Sequence, residues 1–158
     1  MTKDSIKTYS YRISQASKTE LVVIMYDMAM EYVKEAIAVY QTDMEAYNGN
    51  LKQAKRVIDE LTRSLDMQYE ISEQLLKVYV CMMRFLVKAG AGKDVTVLDT
   101  VLRMLEMLRK SFYEVSTQDV SGPVMRNAQQ VYAGLTYSNM GMSTEISSDP
   151  VSNRGYKV

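Results

Sequence analysis

Leu51, Ala54, Ile58, Leu61 and Leu65 recur at alternating steps of three and four, which predicts one buried stripe along an α-helix over about 44–65. Lys52, Lys55, Arg56, Asp59, Glu60 and Arg63 fall between them, towards water. The segment 71–89 carries more apolar surface than one stripe holds. Tyr79, Met82 and Leu86 form its main face, while Leu76, Val80, Met83 and Val87 make a second row. The same surplus marks 17–41, where Leu21, Ile24, Met25, Met28, Tyr32 and Val39 run beside Val22, Tyr26, Ala29, Val33, Ile37 and Tyr40. A single stripe returns over 94–115, in Leu98, Val101, Leu102, Leu105, Leu108 and Phe112. A helix with two apolar rows is either central in a bundle or open to a partner.

Local signals set the boundaries. Ser17 and Glu20 have the spacing of a capping box, so a helix is expected to start there. Asp27, Glu31 and Glu35 then form a polar ridge that reads as a solvated face. Gly49 weakens the first turns of the next helix by up to about 1 kcal/mol relative to alanine. The glycines of Gly90 to Asp94, GAGKD, are expected to end the helix over 71–89, with Asp94 capping its successor. They are no phosphate loop, because Val87 and Asp94 stand where a Walker motif needs glycine and a hydroxyl. Four long helices with short connections predict an all-α chain, an antiparallel four-helix bundle within a domain spanning 17–137. Residues 1–16 alternate polar positions with Ile6, Tyr9, Tyr11 and Ile13, a pattern read as a non-helical arm that packs on something. Pro123 opens a short fifth helix over 123–136, with Val124, Ala128, Val131, Tyr132 and Leu135 on one side. Residues 138–158 are polar and without period, which predicts a disordered tail.

Composition narrows the function. Nineteen basic and nineteen acidic residues cancel and are interspersed, so no field is expected to hold a nucleic acid. The N-terminus lacks a signal peptide's run of roughly 7 to 15 apolar residues, and no stretch reaches the about 18 that span a bilayer; a cytosolic protein without membrane insertion is expected. With no histidine, the usual hydrolytic triads and metal ligands are missing, so neither an enzyme nor a cofactor or metal is expected. Cys81, the one cysteine, reads as a small core residue. Thirteen methionines and twelve tyrosines, adaptable and amphipathic, suit a surface that accommodates another chain.

Five collinear pieces together resemble one known family, over roughly residues 9 to 113. They are ISQASKTEL (13–21), MYDMAMEYVKEA (25–36), NLKQAKRVIDELTRSLD (50–66), VYVCMMRFLVKA (78–89) and LDTVLRMLEMLRKSF (98–112). The family is FliS, the flagellar export chaperones. The resemblance implies a cytoplasmic antiparallel helical bundle that binds the C-terminal segment of new flagellin, prevents its polymerisation and delivers it to the flagellar type III export gate. It implies no catalytic residues. The chain departs from the family pattern at Lys18 (usually proline), Met28 (glycine), Phe85 (arginine) and Phe112 (tryptophan), and the larger or more apolar Met28 and Phe85 are expected to alter groove shape along the helices over 17–41 and 71–89.

In that reading the client docks as helices in apolar grooves. The candidates for partner binding are Leu21, Ile24, Met25, Tyr26 and Met28 in one helix and Tyr79, Val80 and Met83 in another, only some of which can face outwards. Tyr9 and Ile13 join them from the arm, which the resemblance places over part of the groove in the free chaperone. The segment MRNAQQVYAGL (125–135) could serve as an internal stand-in for the client or simply cap the bundle end. The competing reading is a homodimeric structural or regulatory module in which the surplus apolar rows meet a second copy.

Overall fold

A computed structural model describes residues 3–92 and 94–125, apart from the Lys3 side chain, all within one contact unit, Met1–Arg126. The expected helix over 123–136 falls almost wholly outside the described residues, and its first positions, Pro123 to Met125, are not helical. The expected tail over 138–158 is also outside them. The described residues form five α-helices and no strands: α1 (Lys3–Gln15), α2 (Lys18–Val39), α3 (Met44–Arg63), α4 (Glu70–Gly92) and α5 (Val97–Ser116). None is long and apolar enough to cross a membrane.

Two helix starts follow from local chemistry. Ser17 Oγ accepts from the Glu20 amide at 3.2 Å while the Glu20 carboxylate accepts from the Ser17 amide at 2.8 Å, the reciprocal cap that opens α2. Asp43 caps α3 by accepting from the Ala46 amide at 2.9 Å. Elsewhere tertiary contacts override the local signal. Helix α4 does not stop at Gly90 but runs to Gly92. Ala89 is buried there and its carbonyl accepts from the Tyr47 hydroxyl at 3.0 Å, while the Cβ that Gly90 lacks would meet Leu51 at an ordinary 3.6 Å. The burial of Ala89 and its bond from Tyr47 offset the cost of about 1 kcal/mol that a helical glycine carries relative to alanine. Asp94 caps no helix directly; it accepts from the Thr96 amide at 3.2 Å, and α5 begins beyond it.

The expected non-helical arm is a helix. Ile6, Tyr9 and Ile13 lie at steps of three and four, a helical spacing that the interposed Tyr11 disguises as alternation. Asp4 in the first turn and Arg12 in the last complement the helix dipole, and packing on α2 supplies what a short isolated helix lacks.

Helix α2 packs against α1, α3 and α5, whereas α4 packs against α3 and α5. The core draws Tyr26, Ala29, Val33 and Ala36 from α2, the α3 stripe, Leu75, Tyr79, Met82 and Leu86 from α4, and Leu98, Val101 and Leu105 from α5. The Tyr47 bond to Ala89 sets the first turns of α3 beside the last turns of α4. At the centre, the hydroxyls of Tyr26 and Tyr79 share a hydrogen bond of 2.5 Å between α2 and α4, and the Tyr26 ring meets Phe112 of α5 edge-on at 5.5 Å. No buried side-chain polar atom among the described residues lacks a partner.

Burial raises the pKa of both the Tyr26 and Tyr79 hydroxyls above the ordinary tyrosine value, that of Tyr26 strongly. A folded-state pKa raised in this way contributes stability that is complete below the unfolded value of about 10 and declines as pH rises above it. Tyr79→Phe is expected to strand the Tyr26 hydroxyl and lower unfolding stability by about 1–3 kcal/mol. The double change Tyr26→Phe with Tyr79→Phe is expected to cost less than the two single changes summed, because no orphaned hydroxyl remains. Urea unfolding at neutral pH, with an alkaline series for the unaltered chain, measures both effects.

Candidate partner-binding surface

The second apolar row of α4 is only partly consumed by the core. Val80 is 49% and Val87 52% exposed, while Leu76 before them and Met83 between them are half-buried, Met83 packing on the core. Steps of four, three and four keep these residues on one side of the helix. At one end of the row a shallow cavity of about 540 Å³ opens between α3 and α4, lined by Leu51, Lys52, Lys55, Val87 and Gly90 among others. The row can accept apolar side chains from a helix laid alongside it, and it offers no nucleophile or base for chemistry. No set of three metal-ligating side chains clusters among the described residues.

On α2 the side that includes Val23 and Ile24 is covered instead. Helix α1 is held beside it by an ionic latch at Asp27, whose side chain is 14% exposed. Asp27 Oδ2 accepts from Arg12 of α1 at 2.8 Å, and Oδ1 accepts from Arg109 Nε of α5 at 2.6 Å. The polar ridge expected to be solvated is thus partly a clamp between two arginines. The Arg12 guanidinium also stands over the Tyr9 ring at 5.6 Å. Burial and the hydrogen bond to the Glu31 carboxylate push the Tyr9 hydroxyl far above its usual pKa. Between α1, α2 and α5 lies a cavity of about 320 Å³ bordered by Tyr11, Ala16, Val23, Ile24, Arg109 and Tyr113. The chain beyond α5 braces the α1–α2 junction: the Val124 amide donates to the Ala16 carbonyl at 3.0 Å, and the Thr19 hydroxyl donates to Asp119 at 2.7 Å. Bonds from Ser121 and Thr19 hold the Asp119 carboxyl well below the ordinary carboxylate range.

Against this geometry the ten candidates divide. Tyr26, Tyr79 and Ile24 are buried, so they position the surface from behind and touch no partner in this conformation. Leu21, Met25 and Met28 on α2, Met83 on α4, and Tyr9 and Ile13 on α1 are half-buried, and Val80 is open. The α2 candidates lie on the helix that α1 packs against. Sequence reasoning passed over Val87, although it stood in the same row as Val80. It also passed over Asp27, Arg12 and Arg109, whose meeting across 15 and 82 residues carries no local signal.

Each latch pair is partly exposed and worth about 1 kcal/mol or less. Asp27→Asn is therefore expected to speed amide exchange across residues 3–15 by up to about tenfold, with little change in α3 or α4. Hydrogen exchange read by mass spectrometry decides; unchanged protection of α1 would remove the latch from the account.

Comparison with known proteins agrees with the resemblance in the sequence. The chain is 31% identical over 90 residues to the flagellar secretion chaperone FliS of Bacillus subtilis (strain 168), an alignment covering 56% of this chain and 68% of that protein. The family model for flagellar protein FliS matches residues 3–119, from the first turn of α1 to just beyond α5, and the chain belongs to the FliS family.

Proposed function

We propose that this protein is a cytosolic flagellar chaperone that binds the disordered C-terminal segment of flagellin as helices, prevents its premature polymerisation and delivers it to the flagellar type III export gate. The proposal includes an antiparallel four-helix bundle of α2 to α5, supported by the ring of helix contacts and by α3 starting where α4 ends. It includes no catalytic step. The observation that carries it is the row Leu76, Val80, Met83 and Val87, in which Val80 and Val87 stay half-exposed although Met83 packs partly on the core. Membership of the FliS family and the similarity to the flagellar secretion chaperone of Bacillus subtilis support the flagellar assignment.

Magnitudes set how the client must bind. Fully burying a large apolar side chain contributes about 1.5–3 kcal/mol. Two half-exposed valines with two half-buried neighbours therefore supply only about 3–5 kcal/mol, comparable with the 2–5 kcal/mol or so that ordering a disordered segment costs. A tight complex needs a second surface. Displacing α1 would open the cavity beside Val23 and Ile24 on α2, and the latch at Asp27 makes that displacement inexpensive. Apparent affinity would then fall by the fraction of time that α1 stays docked.

Val80→Asp with Val87→Asp changes only open positions, so it should leave the melting temperature nearly unaltered while weakening binding of a flagellin C-terminal peptide by about tenfold or more. Isothermal titration with the full chain reads the affinity. A chain that binds no flagellin segment, and that light scattering shows as a tight dimer broken by the same substitutions, would replace this reading with the dimeric one.

A further inference from the structure

Charges that cancel over the whole chain do not mix in space. Residues 46–58 and 74–92 contain no acidic residue, yet they carry Lys52, Lys55, Arg56, Lys77, Arg84 and Lys88. Helix α2, by contrast, carries Glu20, Asp27, Glu31 and Glu35 against Lys18 and Lys34. Lys52 and Lys55 border the same depression as Val87. Arg84 lies four residues after Val80 and three before Val87, which places it on their side of α4. Among the described residues, only Lys88 of these six cations has a carboxylate within ion-pair reach, Asp94 at 3.5 Å. The acids nearest in sequence do not neutralise the others. Asp59 is paired with Arg63 at 2.6 Å, and Glu45 and Glu73 stand in the first turns of α3 and α4.

We infer that the α3–α4 face selects an acidic amphipathic helix, one whose apolar anchors follow the Leu76–Val87 row while carboxylates beside them meet Lys52, Lys55 and Arg84. This deepens the proposed chaperone function and rests on it for the identity of the natural client. The apolar strip gives affinity, and the one-signed rim gives encounter rate, register and discrimination against basic or neutral helices. An interrupted set of cations beside an exposed apolar row fits a peptide better than a nucleic acid, which needs phosphate contacts without such a row.

Two probes test this on the full chain by fluorescence anisotropy. One is the flagellin C-terminal segment. The other is a designed helix with leucines at i, i+4 and i+7 flanked by Glu, with a counterpart carrying Gln at the flanks. Lys52→Glu with Lys55→Glu is expected to weaken the flagellin segment and the Glu-flanked helix about tenfold, and the Gln counterpart less than twofold. Raising salt from about 50 mM to about 500 mM should weaken the flagellin segment and the Glu-flanked helix similarly. The milder pair Lys52→Gln with Lys55→Gln serves if the reversal lowers the melting temperature. If the flagellin segment binds but ignores charge reversal and salt, the inference is overturned and the chaperone reading stands. If only the designed acidic helix binds, and with the expected dependence, the inference stands and the flagellin assignment fails. Binding of neither probe, or capture of a duplex oligonucleotide lost on the same reversals, would overturn it.

Discussion

A helix with two apolar rows must either be surrounded or stay partly open, and here the two helices that have such rows meet opposite fates. Helix α2 is covered by α1, α3 and α5, so its surplus is spent within the chain. Helix α4 packs mainly against α3 and α5, reaching α2 through the Tyr79–Tyr26 bond, and Val80 and Val87 remain half-exposed. Identical patterning thus produces a covered face in one place and an open strip in another. The difference lies in α1, a short helix that could not persist without packing.

The covering of α2 is conditional in its energetics. Helix α1 holds its place through Arg12, Tyr9 and the Asp27 node, polar contacts at partly exposed positions, together with modest apolar packing. The core, by contrast, is fixed by deep burial and by a tyrosine pair whose hydroxyls satisfy each other. Free energy is therefore concentrated in α2 to α5 and thin across α1, the distribution expected where one element moves and the rest serve as a rigid frame. Because Asp27 also binds Arg109, and the segment after α5 bonds to Ala16 and Thr19, the seat of α1 is built by both ends of the described chain.

Most of the fold was legible. The helices over 17–41, 44–65, 71–89 and 94–115 match α2 to α5 within a few residues at each end, since a 3.6-residue period summed over twenty positions is a strong signal. The cap at Ser17 was equally readable, because both partners lie within four residues. The extension of α4 through its glycines and the helicity of residues 3–15 were not. Each depends on a neighbour distant in sequence: Tyr47 for α4, Asp27 and Glu31 for α1.

The candidate surface was half legible for the same reason. Periodicity identified both rows but could not rank Val80 above Tyr79, adjacent residues of which one is open and the other buried. Sequence by itself determined the element types, the surplus of apolar surface and the absence of histidine chemistry, since composition and local spacing suffice for these. Tertiary structure decided which row is spent, which carboxylate becomes a clamp and where like charges gather, because those outcomes depend on which helices become neighbours and no local spacing encodes that.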